Sequence, residues 1–126
     1  MPIELVKDFS TKISKLLQPI AENFCSKKLS TSKVYGIRSY LDGVSVIPHF
    51  NNINDMHICL NLIVDKKLYD DNEDWPLTIF DQNNEYKIYA NIGDIIIYES
   101  ARLEHGRIET FKGEFFRSLF FYYKFI

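Results

Sequence analysis

Residues 34–49 read VYGIRSYLDGVSVIPH. Apolar and aromatic side chains fill two short runs, 34–41 and 44–49, and Asp42-Gly43 separates them. β-branched and aromatic residues favour strands, and Asp-Gly is a common turn between neighbouring strands. The stretch therefore predicts two strands joined by a hairpin, and it places the chain among β proteins.

The chain after this stretch repeats the pattern of short apolar runs, which are 56–64, 77–80, 86–90, 94–98 and 115–125. The length of the first run predicts a strand buried on both faces. The acidic segment 70–74 is predicted to be a solvated loop. Short strands at regular spacing, near eight in number and without helices between them, predict a mainly β fold. The strand number fits a jelly roll, also called a double-stranded β-helix.

Residues 1–30 have a helical period instead. Apolar side chains recur there at three- and four-residue spacing, at Val6, Phe9, Ile13, Leu16, Leu17, Ile20 and Phe24. Such residues line one face of a helix, which would cover one face of a sheet. Pro19 lies inside the pattern and lacks a backbone donor, so we expect a kink there or two shorter helices. The chain is thus expected to form a single domain, 1–126, with helical support over 1–30 and a jelly-roll core over 34–126.

Composition and charge argue against several classes of function. The 126 residues are 46% apolar, which suffices for a core, and the net charge of −2 includes no basic excess. We therefore expect no nucleic-acid partner and no membrane partner. No apolar stretch is long enough to span a bilayer, and the N-terminus lacks a signal-peptide pattern, so a cytoplasmic location is expected. Cys25 and Cys59 lie in apolar stretches and are predicted to pack as small hydrophobes.

Three histidines are the first candidates for chemistry. His49 ends a predicted strand, Asn51 follows two residues later, and His105 lies far along the chain. A His-x-acid pair with a distant histidine is the facial triad that holds non-haem iron(II), and here Asn51 takes the place of the acid. On spacing alone, the favoured interpretation is that His49 and His105 are hydrogen-bonded residues at strand ends. His57 lies within an apolar run and is predicted to be a packed, hydrogen-bonded strand residue.

A series of short motifs changes this balance. They are Arg38-Ser39-Tyr40, the turn at Gly43, His49-Phe50-Asn51, Trp75-Pro76-Leu77, the segment GDIIIYE at 93–99, and His105-Gly106-Arg107. Their order and spacing resemble the prolyl-4-hydroxylase-like branch of the iron(II)/2-oxoglutarate-dependent dioxygenases. The resemblance covers Val34 to the C-terminus, about three quarters of the chain. It implies a jelly roll that hydroxylates a peptide or a small molecule.

The resemblance also implies roles for individual residues. His49 and His105 would be iron(II) ligands, and Asn51 would occupy the place of the carboxylate ligand. Tyr40 would donate a hydrogen bond to the distal carboxylate of 2-oxoglutarate. The other matched residues would serve the scaffold, the entrance or the turn before the distal strand: Arg38, Trp75 and Gly93-Asp94.

Two departures from the family pattern concern the metal and the cosubstrate. Asn51 brings no negative charge to iron(II), so we expect a metal affinity at least ~10–100-fold weaker. The basic residue that binds the far carboxylate of 2-oxoglutarate falls, by register, on Glu114, which would repel it. Lys112 shares the parity of Glu114, and Arg117 would face inward only through a bulge, so these two are the candidates to hold 2-oxoglutarate. Asp55, in a loop, is an alternative acidic ligand.

Three functions remain open from the sequence. The first is an active iron(II)/2-oxoglutarate-dependent hydroxylase. The second is a catalytically inactive jelly-roll domain that binds a protein partner or forms a homo-oligomer, with the aromatic run 115–125 partly exposed for pairing. The third is a cupin-like binder of a metal or a small ligand. Asn51 and Glu114 together favour a loss of catalysis, whereas the motif series favours the hydroxylase.

Overall fold

The computed structural model describes residues 3–69 and 74–126, with side chains from Phe9 onward. One helix and eight strands are described in it, and most of the predicted acidic loop, 70–73, lies outside the described residues. The elements are α1 (Ile3–Cys25), β1 (Leu29–Tyr40), β2 (Val46–His49), β3 (Ile58–Leu68), β4 (Leu77–Asp81), β5 (Asn84–Ile88), β6 (Ile95–Tyr98), β7 (Glu104–Arg107) and β8 (Gly113–Phe125).

The strands form two antiparallel sheets of four strands each. Sheet A has the order β1-β8-β3-β6, and sheet B has the order β2-β7-β4-β5. Side chains of the two sheets meet in a shared core, where Cys59 and Tyr122 of sheet A pack with Leu77 and Ile79 of sheet B. A second cluster joins α1 to the opposite face of sheet A. The prediction of a mainly β chain with an N-terminal helical layer is therefore confirmed.

The first two strands do not form the predicted hairpin. β1 pairs with β8, and β2 pairs with β7, so the two strands lie in different sheets. Asp42-Gly43 carries the chain from one sheet to the other, and Gly43 adopts a φ of +87°, which favours glycine. An Asp-Gly pair marks a sharp turn, but long-range pairing decides which strand lies beside the next one. The hairpin prediction is therefore wrong, although the turn is present.

β1 begins earlier than the apolar pattern predicts, at Leu29 rather than at Val34. Its first residues pair with the end of β8, from Leu29 opposite Phe125 to Thr31 opposite Tyr123. Backbone hydrogen bonds to a distant strand hold this polar segment in the sheet whatever its side chains prefer. The helical layer was expected to extend to residue 30. It ends at Cys25 instead, and the chain from Leu29 onward belongs to β1 because it pairs with the distant end of β8.

The aromatic C-terminal strand has no free edge. β8 lies between β1 and β3 and pairs with both. Phe121 and Tyr123 pack toward α1, whereas Phe120 and Tyr122 pack toward sheet B. Pairing of this run with a partner strand is therefore disfavoured, because both edges of a central strand are occupied, although Phe125 at its end is 37% exposed.

α1 is one helix with Pro19 inside it, rather than two shorter helices. Ser14 and Ala21 are buried, and Ile13 and Leu17 pack against the core of sheet A. Four other members of the predicted apolar face remain between 46% and 71% exposed: Phe9, Leu16, Ile20 and Phe24. The apolar arc of α1 is thus wider than the part that sheet A covers. No described helix, α1 included, is long and apolar enough to cross a membrane.

Candidate functional site

A cavity of about 210 Å³ lies between the two sheets. Residues of β1, β2, β7 and β8 supply most of its walls. Its polar lining includes two sets of side chains, which we name the imidazole group and the arginine group. The imidazole group comprises His49, Asn51 and His105, and the arginine group comprises Arg38, Tyr40 and Arg107. The fold therefore brings the three predicted metal ligands into the same cavity as the predicted cosubstrate residue Tyr40.

The two histidines of the imidazole group are placed by strand pairing. His49 on β2 lies directly opposite His105 on β7, and their ring centroids are 4.6 Å apart with the planes tilted by 56°. Residues directly opposite one another on antiparallel strands project from the same face of the sheet. The pairing between β2 and β7 thus brings both imidazoles to the cavity, although 55 residues separate them in the chain.

Backbone carbonyls orient both rings in the same way. Nδ1 of His49 lies 2.8 Å from the carbonyl oxygen of Ile47, and Nδ1 of His105 lies 2.9 Å from that of Leu103. A carbonyl oxygen only accepts hydrogen bonds, so each Nδ1 carries the proton. In the neutral ring the lone pair is then on Nε2, which is the arrangement usual for histidines that bind metals.

The protonation state of His105 suits coordination. Only 3% of the residue is exposed, and this burial lowers the pKa of His105 to about 4, with a smaller contribution in the same direction from His49. The bond to the Leu103 carbonyl opposes the shift. His105 is therefore neutral at pH 7, and a neutral imidazole is the form that binds a metal ion.

Asn51 supplies the third donor of the imidazole group. Its backbone N–H donates to the carbonyl oxygen of Ser100 over 2.9 Å, which fixes the segment after β2. Its side-chain oxygen Oδ1 is buried and has no hydrogen-bond partner. A buried acceptor without a donor costs free energy, so it calls for an explanation, and a cation would satisfy it. An orphaned Oδ1 in a cavity that two imidazoles also line fits a divalent metal ion.

The alternative acidic ligand, Asp55, does not belong to the cavity. Its carboxylate pairs with Lys33 over 3.1 Å, and it is not among the lining residues. In the part of the chain that the structure describes, no three His, Cys, Asp or Glu side chains form a cluster suited to a metal. Any metal bound by the imidazole group would therefore depend on two imidazoles and one carboxamide.

Arg107 is the central residue of the arginine group. It is 4% exposed, and its guanidinium donates to the carbonyl oxygen of Trp75 over 2.8 Å and to Oδ1 of Asn61 over 3.1 Å. The guanidinium carbon also lies 5.2 Å from the ring centroid of Trp75 and 4.7 Å from that of Phe116. Burial lowers the pKa of Arg107, but arginine starts high enough to stay charged. A rigid buried cation thus faces the cavity.

Tyr40 and Arg38 complete the arginine group from β1. Burial raises the pKa of Tyr40, and the guanidiniums of Arg38 and Arg107 both oppose that rise. The Tyr40 phenol therefore lies within electrostatic reach of both cations. Arg38 is exposed, with its guanidinium carbon 5.7 Å from the Tyr40 ring centroid. Two cations and a hydroxyl donor form a set that suits a carboxylate or another small anion.

The charge of the cavity wall is one-sided. Arg38 and Arg107 both line the cavity. None of its described lining residues is an aspartate or a glutamate. Asp74 raises the pKa of Arg107, but this carboxylate is itself paired with Lys66 and lies outside the lining. Because focusing of charge in a cleft raises the local concentration of counter-ions, the cavity attracts anions.

The two basic residues expected to hold 2-oxoglutarate do not reach this cavity. Lys112 is exposed and precedes β8. Arg117 stacks on Phe115 and contacts Ser39 and Asp65 at the surface. Both expectations are corrected by the position of the strand, because a lysine before β8 and an outward-facing residue on it cannot point between the sheets. Glu114 is also exposed and pairs with Lys67, so it does not face the cavity either.

Sequence reasoning missed Arg107 as a residue of the cavity wall. The signal that could have found Arg107 is its spacing from His105. Residues two apart on one strand project their side chains from the same face. Two other residues have structural surroundings, although His57 lies just before β3 rather than within a strand as expected. Trp75 is buried and its indole N–H donates to the carbonyl oxygen of Glu109, whereas His57 stacks on Phe125 outside the cavity and bonds to Ile53.

Comparisons of the chain with models of protein families, with curated proteins and with solved structures found no match. The chemistry of the cavity therefore rests on its own residues alone.

Proposed function

We propose that the chain is a jelly-roll domain of the kind found in iron(II)/2-oxoglutarate-dependent oxygenases. Its strand orders support this proposal, because successive strands alternate between two four-stranded sheets except at the β4–β5 hairpin, and β8 returns beside β1. A jelly roll is an eight-stranded double sheet of this sort. The cavity between the sheets, near the ends of β2 and β7, is where such a fold has room for a small ligand.

Within that fold, the function that the cavity supports best is the joint binding of a divalent metal ion and an acidic small molecule, as in an oxygenase that hydroxylates a peptide or a small molecule. The observation that carries the proposal is the pair of imidazoles, His49 and His105, with both Nδ1 atoms held by carbonyls. Their Nε2 atoms and the unpartnered Oδ1 of Asn51 would hold the metal. An iron(II) ion, when bound, would supply the reactivity toward dioxygen.

The chain's own residues would orient the acidic molecule. Arg107 cannot turn away from the cavity easily, because its guanidinium is fixed by Trp75 and Asn61. Tyr40 would donate a hydrogen bond to the same carboxylate, as the family resemblance implies, and Arg38 would add charge on the exposed side. In this proposal Arg107 takes the role expected of Lys112 or Arg117. An acid of the 2-oxoglutarate type, with a carboxylate at each end, would match the two groups of the cavity.

The direct test is binding, followed by turnover. Purified protein is unfolded thermally without oxygen, in the presence of manganese(II) and 2-oxoglutarate together. A ligand at ~100 times its dissociation constant adds ~2.7 kcal/mol to the free energy of unfolding and raises the midpoint by several degrees. We expect this shift in the wild type and in His57→Ala, whose imidazole lies outside the cavity, but not in His49→Ala. Succinate release with iron(II), ascorbate and 2-oxoglutarate then tests catalysis, and the absence of a joint shift in the wild type would reject the proposal.

A second candidate function is assembly, because α1 keeps a stripe of exposed apolar side chains. Phe9, Leu16, Ile20 and Phe24 together expose on the order of 400 Å² per copy, if a large apolar side chain offers roughly 150–250 Å². A twofold contact uses the same stripe on both copies, which gives about half of the area that specific dimers bury. The partner in this alternative is therefore a second copy of the chain, packed helix against helix.

The oligomeric state separates the two candidates. Leu16→Glu with Ile20→Glu places charge in the centre of the stripe, and Lys12→Gln with Lys15→Gln makes the same change of two charge units beside it. Light scattering after size exclusion should find a dimer in the wild type and in the lysine variant, but a monomer in the apolar variant. A monomeric wild type at high concentration would remove this candidate.

A further inference from the structure

The imidazole group has an unusual charge for a metal site. Its donors are two neutral imidazoles and one carboxamide, and the guanidiniums of Arg38 and Arg107 line the same cavity. We propose that the metal ion and the acidic molecule bind as a coupled pair, each weakly alone, because the acid supplies the negative charge that Asn51 does not. This inference rests on the proposed function and adds a rule for how its two ligands assemble.

The metal alone meets an unfavourable field. A divalent cation at His49, His105 and Asn51 would receive no negative charge from its ligands. No described lining residue compensates for it, since the lining holds arginines and no carboxylate. Like charges in a site of low dielectric repel over several ångströms, so Arg107 in particular disfavours a second cation. The imidazole group by itself is therefore a weak metal site.

The acid alone meets an incomplete site as well. One of its carboxylates is satisfied by the arginine group. A second carboxylate directed toward the imidazole group would meet the acceptors of that group, namely the Nε2 lone pairs of both histidines and Oδ1 of Asn51. Acceptor facing acceptor is repulsive and leaves buried polar atoms without partners. A cation between them removes this conflict, since every one of these atoms can then bind it.

Coupling between two ligands is reciprocal, so the acid must strengthen metal binding by the same factor as the metal strengthens acid binding. Couplings of this kind are typically 5–150-fold, and we expect this one to reach at least roughly 10-fold. A carboxylate at position 51 would supply the missing charge from the protein. The coupling is therefore a property of Asn51 and should decrease when that residue becomes an acid.

The test compares manganese(II) affinity with and without saturating 2-oxoglutarate in the whole chain. The variant Asn51→Asp is measured beside Asn52→Asp, which adds the same charge one residue away. Asn52 is exposed, and its Oδ1 accepts a hydrogen bond from the Asn54 N–H, a role that a carboxylate keeps. His49→Ala, measured in parallel, corrects for manganese that 2-oxoglutarate binds in free solution.

We expect 2-oxoglutarate to tighten manganese(II) binding at least roughly 10-fold in the wild type and in Asn52→Asp. Asn51→Asp should bind manganese(II) more tightly without the acid and should show a smaller coupling. Equal manganese(II) affinity in the wild type with and without 2-oxoglutarate would overturn the coupling but leave the proposed function standing. Equal behaviour of the two aspartate variants would overturn the assignment to Asn51. No binding of the two ligands together would reject the proposed function itself, and the wild-type titrations decide these points even if Asn51→Asp fails to fold.

Discussion

The imidazole group and the arginine group share one cavity but are built in different ways. His49 and His105 are fixed by pairing of two short strands and by carbonyls only two residues away in the chain. Arg107 is fixed by Trp75 and Asn61, which are 32 and 46 residues distant. The first group is electrically neutral, and the second is cationic.

This contrast separates two kinds of dependence on the fold. The imidazole group needs the pairing of β2 with β7 and the bond from Asn51 to Ser100, whereas the arginine group needs β1, β3, β7 and the segment before β4 in register together. Damage to the arginine group should therefore lower both stability and anion binding. Damage to the imidazole group should mainly change metal binding and the response to pH.

The largest effect is expected from Arg107→Met. The substitution leaves the Trp75 carbonyl and Asn61 Oδ1 buried without a donor, and each such loss costs about 1–3 kcal/mol. We expect the free energy of unfolding, measured with urea, to fall by about 4 kcal/mol and anion binding to be lost. Arg102→Met is the matched control, because Arg102 is exposed and pairs with Glu99 at the surface, where such pairs are worth about 1 kcal/mol or less. Equal losses in both variants would contradict the anchoring role of Arg107.

A somewhat smaller effect concerns pH and the imidazole group. The pKa of His105 is about 4 in the folded chain and about 6.5 when unfolded, so the unfolded state binds the proton first. Its stabilising contribution is complete above pH 6.5 and is lost as the pH falls toward 4, by on the order of 3 kcal/mol. Urea unfolding at several pH values should show this slope in the wild type.

Two variants test whether His105 causes this pH dependence of stability. In His105→Gln the part of the pH dependence between 6.5 and 4 should be reduced, because glutamine does not titrate. His57→Gln should keep it, since His57 lies outside the cavity, where its Nδ1 accepts a hydrogen bond from the Phe125 N–H. The same slope in His105→Gln as in the wild type would show that carboxylates elsewhere are responsible.

The smallest effect is expected from Tyr40→Phe, which removes one hydroxyl from the arginine group. One hydrogen bond contributes about 0.5–1.5 kcal/mol, so 2-oxoglutarate affinity in the presence of manganese(II) should fall roughly 3–10-fold. Tyr86→Phe on β5, exposed and outside the cavity, should leave this affinity unchanged. If Tyr40→Phe lowers manganese(II) affinity without the acid by as much, the division of the cavity into two groups is mistaken.

The apolar pattern predicted most strands because their signal is local. The run 56–64 was expected to be buried on both faces, and β3 is buried on both faces from Ile58 to Asn61. β7 was not among the predicted apolar runs, since Glu104-His105-Gly106-Arg107 has no apolar alternation. The position of β7 is determined by its neighbour β2, as Gly106 shows. A Cβ at Gly106 would lie 2.6 Å from the Val46 carbonyl oxygen, so β2 approaches closely at that point. Only a neighbouring strand makes that glycine necessary.

Part of the candidate site was also predicted, because its motifs are local in sequence. The motif order led to His49, Asn51, His105 and Tyr40, and the fold brings all four to one cavity. It did not lead to Arg107, the buried cation that lines the cavity, and it misplaced Lys112 and Arg117 because the inward-facing positions of β8 depend on where the strand begins. Lys112 lies before the start of β8, and Arg117 on β8 points to the surface. Arg107 lies on β7, from which its side chain lines the cavity.

The sequence by itself determined the mainly β character of the chain, its N-terminal helix, and the residues from which a metal site could be built. These follow from side-chain periodicity and residue chemistry, which act over a few neighbouring residues. The tertiary structure alone decided that β1 and β2 enter different sheets, that His49 lies opposite His105, and that Arg107 rather than Lys112 lines the cavity. Each of these depends on which distant strands pair, and that choice is made by the packing of the whole chain.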